Sequence, residues 1–217
     1  MTSGGSDPAL DPAFDAVVLA GGGAHRLDGT DKPALEIGGA TLLDRVLAAC
    51  AEADRTVCVG PRRPTARPVS WTRESPAGGG PVAALASGLA HVAAPLVLVL
   101  AADLPFLDPV VVRALVRAAA DGADGAVLTD ADGRDQWLAA CYRHAALAVG
   151  LERLRAERGA LAGASLRTLL SDLELSRVPD PDGLGFDCDT WEDVRHVRRL
   201  VEDGRPDQRA AGTGSDS

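Results

Sequence analysis

Apolar positions along the chain fall into short runs and helical stripes that alternate from residue 14 to residue 201. Asp15-Ala16-Val17-Val18 is a β-branched run of the kind that buried parallel strands show. From Leu42 the period becomes helical. Leu42, Leu43, Val46, Leu47 and Cys50 share one face, behind Thr41 as N-cap. Thr56-Val57-Cys58-Val59-Gly60 reads as a second strand and Val69-Ser70-Trp71-Thr72 as a short third. A helix follows near 82–93, and Pro81 suits its first turn. Leu96-Val97-Leu98-Val99-Leu100, the most hydrophobic run, predicts a central strand buried on both faces. Asp108-Pro109 opens a helix over 109–120, and strands are expected around 125–129 and 138–142. Helical spacing returns over 144–158, where Gly159 supplies a stop, and again over 165–173. The last helix follows a capping box of Thr190 and Asp193, with Trp191, Val194, Val197, Leu200 and Val201 expected inward.

This alternation predicts an α/β domain of three layers, with helices on both faces of a mostly parallel, Rossmann-like sheet. One folded domain is expected over 14–203. Residues 1–13 and 204–217 are rich in Gly, Ser, Asp and Pro without periodicity, and read as a disordered leader and tail. Aromatic residues make up only 3% of the 217, so the core must rest on Ala, Val and Leu. A net charge of −9 argues against broad binding of nucleic acid or anionic membranes, which need a cationic surface. With no signal-peptide pattern and no membrane-length apolar run, a cytoplasmic location is expected. Cys50, Cys58, Cys141 and Cys188 form no C-x-x-C pair and lie in apolar contexts, which predicts buried, reduced thiols.

The candidate chemistry centres on Leu19 to Lys32, L-A-G-G-G-A-H-R-L-D-G-T-D-K, directly after the first strand. Glycines without Cβ let backbone N–H groups turn toward an anion and form a nest for phosphate. Arg26 and Lys32 add full positive charge beside it. The P-loop pattern fails because Pro33 follows Lys32, and the dinucleotide fingerprint fails because Arg26 replaces its last glycine. Asp103 is the second candidate. It stands at the carboxyl end of the central strand, where open α/β sheets collect ligands, and a carboxylate there suits Mg²⁺.

The loop L-A-G-G-x-x-x-R-[ML]-x-G-x-D-K resembles the signature of nucleotidyltransferases that build activated cofactors and sugars. It is most similar to the molybdenum cofactor guanylyltransferases, which are MobA-like NTP transferases with a glycosyltransferase-A-like sheet. Asp28 departs from that pattern, since the family more often has Gly there. The resemblance implies that Arg26 and Lys32 hold a triphosphate and that Leu19, Ala20, Gly21 and Gly22 line a base pocket. Gly60 stands where the family often has a nucleotide-contacting Asn and would offer only backbone. Glu74, ahead of Gly80-Pro81, resembles the carboxylate that accepts hydrogen bonds from a guanine edge, and Gly80 would sit beside the nucleotide. Asp103-Leu104-Pro105 matches the family's D-x-P metal signature.

Asp187-Cys188-Asp189-Thr190 resembles the family's N-x-N-T element with both Asn replaced by Asp, as in related cytidylyltransferases. Two carboxylates on alternate residues of a strand would face one way. Asp189 is thereby implied as a second Mg²⁺ contact, supported by Asp187. Arg134 and Gln136 are candidates on the acceptor side, while Asp132-Gly133 reads as a plain turn. Arg62, Arg63 and Arg67 read as a solvated loop, with an anionic pterin phosphate as the alternative guest.

The implied reaction transfers GMP from GTP to molybdenum-bound molybdopterin and releases pyrophosphate. It would need Mg²⁺, no membrane and no nucleic acid. The chain would act as a monomer or small homo-oligomer, with transient contact to proteins that make or accept the cofactor. Rival readings are a cytidylyltransferase of the same fold, a 2-phospho-lactate or sugar-phosphate nucleotidyltransferase, and a non-catalytic nucleotide-binding regulatory module.

Overall fold

A computed structural model describes residues 12–21, 30–180, 182–188 and 190–202. Arg26, Gly22 and Asp189, three of the candidate site residues, therefore lie outside the described residues, as do nearly all of the expected leader and the expected tail. The strands are β1 (Phe14–Leu19), β2 (Glu36–Ile37), β3 (Ala40–Thr41), β4 (Thr56–Val59), β5 (Ser70–Thr72), β6 (Leu96–Ala101), β7 (Gly125–Thr129), β8 (Asp135–Arg143) and β9 (Leu175–Pro179). The α-helices are α1 (Leu42–Ala49), α2 (Pro81–Leu89), α3 (Pro109–Ala120), α4 (His144–Arg158), α5 (Leu166–Leu170) and α6 (Trp191–Glu202). A 3-10 turn over Lys32–Ala34 leads into the β2–β3 hairpin.

Seven strands form one sheet in the order β5-β4-β1-β6-β8-β7-β9. β8 alone runs against the rest, pairing antiparallel with both β6 and β7. The central strands divide their side chains between two cores, as the period of two requires. Ala16, Val18, Leu98 and Leu100 join Leu43, Val46, Leu115 and Val116 of α1 and α3 on one face. Val17, Val59, Val97 and Val99 join Val82, Leu85, Leu147 and Leu169 of α2, α4 and α5 on the other. That is the expected three-layer domain. Strands β1, β4 and β6 are buried almost along their whole length, which explains why their sequences are continuous apolar runs rather than alternating ones.

The local signals at several ends are confirmed. The Thr41 hydroxyl accepts from Asp44 N–H at 3.0 Å, Asp108 Oδ1 accepts from Val111 N–H at 2.8 Å, and Gly159 closes α4 at φ +73°. Thr190 and Asp193 form the reciprocal capping box, with Asp193 Oδ2 2.6 Å from Thr190 N–H. Other expectations need correcting. α2 stops at Leu89, short of residue 93, and β8 begins at Asp135, three residues before the expected strand. Trp191 is exposed rather than inward. The small cluster beneath α6 takes in Val194 and Val197, with Val201 packed against them, and leaves Trp191 outside.

That cluster forms a third core. Ile37, Leu42, Cys188, Val194 and Val197 meet there, with Leu35, Phe106 and Phe186 packed against them. It joins the segment after Lys32, the segment after Asp103 and the C-terminal helix, three pieces distant in sequence. All four cysteines are buried and free, as expected. Burial away from water raises each thiol above its ordinary range, pushing Cys58, Cys141 and Cys188 up to about 12. In the native protein, fewer than about one of these thiols should react with a disulfide reagent at pH 8, with all of them titrating in denaturant. The folded values lie above the ordinary thiol value of 9.0, so the thiols' contribution to stability is complete below pH 9 and declines as pH rises from 9 toward 12. Chemical unfolding measured across that range tests it.

Candidate active site

The sheet's strand order reverses at β1. The chain moves outward from β1 to β4 and β5, then crosses back through α2 to β6 on the other flank. Crevices beyond the carboxyl ends of such strands are where open α/β sheets take ligands. The ladder holds the three central tips level: Leu19 lies opposite both Val59 and Ala101. It continues past the strands, since Ala20 N–H donates to Val59 O at 2.8 Å, Gly60 N–H to Thr72 O at 2.9 Å and Ala102 N–H to Leu19 O at 3.2 Å. Leu19, Ala20, Gly21, Gly60 and Asp103 are thereby gathered on one edge by backbone geometry.

Gly60 has a reason independent of any ligand. A Cβ there would stand 2.6 Å from Ala20 O and 2.8 Å from Gly21 N, and its φ is +149°. Only glycine lets the tip of β4 lie this close to the exit of β1. At Gly21 the situation is opposite. A Cβ would meet Gly60 Cα and Val59 O at 3.6 Å, an ordinary contact. Packing against the described residues therefore does not demand glycine at position 21.

The two charged candidates meet. Lys32 Nζ lies 2.5 Å from Asp103 Oδ2, and each side chain is only 16% exposed. Lys32 is delivered by the 3-10 turn, which Asp31 starts by accepting Ala34 N–H on its carbonyl at 3.0 Å. Asp103 follows β6 by two residues, and its carbonyl accepts Cys188 N–H at 3.2 Å. Residues 187–188 are not a strand, so the alternation expected of Asp187 and Asp189 does not apply as drawn. Cys188 turns into the third core and Asp187 is exposed beside it. The buried Asp180 carboxylate accepts Leu184 N–H at 2.8 Å and Gly185 N–H at 2.7 Å, and this turn sends the chain from β9 back toward Asp103.

Glu74 shapes its own loop. Its Oε1 accepts Gly78 N–H at 2.8 Å, while Gly80, at φ +87°, caps α2. The first turn of α2 begins directly after Gly80, and the N–H groups and positive dipole end of such a turn favour anions. On the other flank, Asp130 Oδ1 accepts from Asp132 N–H and Arg134 N–H, making the turn that Asp132-Gly133 was expected to make. Gln136 is held to Asp130 at 3.3 Å, and Arg134 sits in an exposed pair with Asp132.

The arginine-rich segment after β4 is not a solvated loop. Arg67 Nε donates to Leu47 O at 3.0 Å, and Nη2 reaches Thr56 Oγ1 at 2.9 Å, which ties the end of α1 to the start of β4. Arg63 binds Asp31 and the carbonyls of Ala20 and Pro61. Arg62 alone of the three is exposed. The one sequence signal for Arg63 was the acidic residue just before Lys32, and without the fold nothing linked the two.

The domain family described as MobA-like NTP transferase matches residues 16–178, which span β1 to β9. The chain belongs to this family. A molybdenum cofactor guanylyltransferase from Rhodopseudomonas palustris (strain BisB5) is 34% identical over 210 residues, covering 88% of this chain and 95% of that protein. The crystal structure of molybdopterin-guanine dinucleotide biosynthesis protein A from Archaeoglobus fulgidus superposes with a TM-score of 0.67 at 23% identity, over 87% of this chain and 99% of that one. The 2-C-methyl-D-erythritol 4-phosphate cytidylyltransferase from Thermus thermophilus gives 0.66 at 20% identity, over 89% and 100%. These two share the fold. As a MobA-like NTP transferase the chain is a nucleotidyltransferase, and Leu19, Ala20, Gly21, Gly60 and Asp103 stand on the switch-point edge of its sheet. Among the described residues no helix is long and apolar enough to cross a membrane.

Proposed function

We propose that the protein transfers GMP from GTP to a molybdopterin-type acceptor, forming the guanine dinucleotide cofactor and pyrophosphate. The observation that carries this reading is the meeting of Lys32 and Asp103 at the tips of β1 and β6, from two motifs that the sequence keeps far apart. The 34% identical relative, named as a guanylyltransferase, supports the donor and acceptor. The buried free thiols suit a reducing cytoplasm.

An oxygen of the acceptor phosphate attacks the α-phosphorus in line. The bond from that phosphorus to the β-bridging oxygen breaks, and pyrophosphate leaves with the electron pair. The acceptor phosphate is already anionic, so no protein nucleophile or base is required. The chain's residues align and neutralise. Lys32 offers its ammonium to the α-phosphate, in competition with Asp103, and Arg26 is assigned to the pyrophosphate. Ala20 and Gly21 flank the base, with Gly60 holding their backbone in place. Glu74 keeps one oxygen on Gly78 N–H and has the other for a guanine edge.

The chemistry of the donor set fits Mg²⁺. Asp103 is a hard carboxylate at the polyphosphate end of the site, and Mg²⁺ commonly takes one or two carboxylates with substrate oxygens and water. Asp103, with Asp189 as second contact, would hold the ion, which would supply charge neutralisation to the polyphosphate. Among the described residues no group of three or more His, Cys, Asp or Glu side chains could hold a metal ion.

Pyrophosphate release measured with each of four NTPs, with and without molybdopterin, tests the assignment. Release only with GTP and molybdopterin is expected, whereas CTP-dependent release would favour the cytidylyl reading. Gly21→Ala bears on the same choice. It should leave stability within about 1 kcal/mol, because its methyl fits, yet raise KM for GTP by about tenfold by filling space beside the purine. Unchanged GTP kinetics would place the base elsewhere.

A further inference from the structure

We infer that Arg63 is a positioning residue for the nucleotide loop, gripping both ends of that loop on one guanidinium; the inference rests on the nucleotidyl-transfer reading above. Ala20 is the first residue beyond β1, where the loop departs, and Asp31 is the last before Lys32, where it returns. Arg63 Nε donates to both carboxylate oxygens of Asp31, at 2.9 and 2.8 Å, and Nη2 donates to Oδ1 at 2.6 Å. Nη1 donates to Ala20 O at 2.8 Å and to Pro61 O at 2.9 Å. Side-chain exposure is 12% for Arg63 against 52% for Asp31, so the arginine is the fixed partner.

A guanidinium is planar, with donors in a fixed fork, so it sets the separation of the groups it binds. Here those groups are the departure and return of the loop, together with the exit of β4. Asp31 also begins the turn that carries Lys32 to Asp103. Holding Asp31 therefore aims the ammonium one residue later. The Arg63–Asp31 pair is neutral as a unit, so its part is to orient the loop rather than to supply charge to phosphate. A lysine at position 63 would keep the charge, but its single ammonium cannot bridge a carboxylate and two carbonyls in the same geometry.

The test compares the full chain carrying Arg63→Lys, Asp31→Asn, both changes, or Arg113→Ala as a control. Arg113 pairs with Glu52 on the surface, away from the strand tips. GTP with Mg²⁺ is titrated by calorimetry, kcat and KM are measured by pyrophosphate release, and melting is followed without nucleotide. The expected result is a rise of about tenfold in Kd and KM for GTP in each single variant, with a smaller change in kcat. The double variant should be no worse than Arg63→Lys alone, because the Asp31 change acts only through a contact that this single has already lost. Arg113→Ala should match the wild type.

Wild-type GTP affinity in Arg63→Lys, or effects that multiply in the double variant, would overturn the inference. Should Arg63→Lys fail to fold, Asp31→Asn decides, since it leaves the Ala20 and Pro61 contacts in place. If the wild type itself binds none of the four NTPs, the nucleotidyl-transfer reading falls and takes the inference with it. If it binds GTP and both variants bind it equally well, only the inference falls.

Discussion

Replacing Asp103 with Ala is expected to slow pyrophosphate release by about a thousandfold, equivalent to about 4 kcal/mol of transition-state stabilisation. Stability should change less. Each side chain of the Lys32–Asp103 pair is only 16% exposed, so its loss falls between the surface and buried limits and costs about 2 kcal/mol, or a fall of roughly 4–8 °C in Tm. The contrast between these two effects is the informative part. A carboxylate kept for architecture would show the reverse, as Asp180 should, because two backbone N–H groups depend on it in a buried turn. Steady-state kinetics beside a thermal melt separates the cases. Turnover at the wild-type level in Asp103→Ala would remove this residue from the chemistry.

Gly60→Ala is expected to be the most destabilising single-methyl change at the site, by about 3 kcal/mol or more in urea unfolding. The added Cβ would sit 2.6 Å from Ala20 O, 2.7 Å from Ala20 C and 2.8 Å from Gly21 N. All three are backbone atoms, so no side chain can swing aside. Relief would require β4 to part from β1, losing the 2.8 Å bond from Ala20 N–H to Val59 O, while φ at +149° adds strain for any L-residue. Variant protein that still folds should bind GTP poorly if the displaced atoms, those of Ala20 and Gly21, flank the base as proposed. A Gly60→Ala protein as stable as wild type would show that this approach relaxes freely.

The parts of the fold that were legible share one physical property. β1, β4 and β6 are buried on both faces, so their sequences carry unbroken apolar runs, and the caps at Thr41, Asp108 and Thr190 are local devices written within a few residues. β9 is hidden from a sequence reading because Leu175-Ser176-Arg177-Val178-Pro179 is an edge strand, half-exposed and ending in proline. The start of β8 is hidden because Asp135 and Gln136 look like turn residues until β7 pairs with them. Lys32 and Asp103 were readable from strand ends and glycines. Arg63 was not, because its partners Ala20, Asp31 and Pro61 come from separate stretches, and two of the acceptors are carbonyls that every residue possesses. Long-range contacts to backbone leave no trace in residue type.

The third core carries a consequence for the order in which the enzyme is completed during synthesis. Ile37 and Leu42 leave the ribosome early, whereas Val194 and Val197 come some 150 residues later. At elongation rates of about 5–20 residues per second, the early partners wait many seconds for their cover. The segments behind Lys32 and Asp103 thus gain their last apolar support only when α6 arrives, so a nascent chain that has already closed its sheet is expected to turn over only after that helix has emerged.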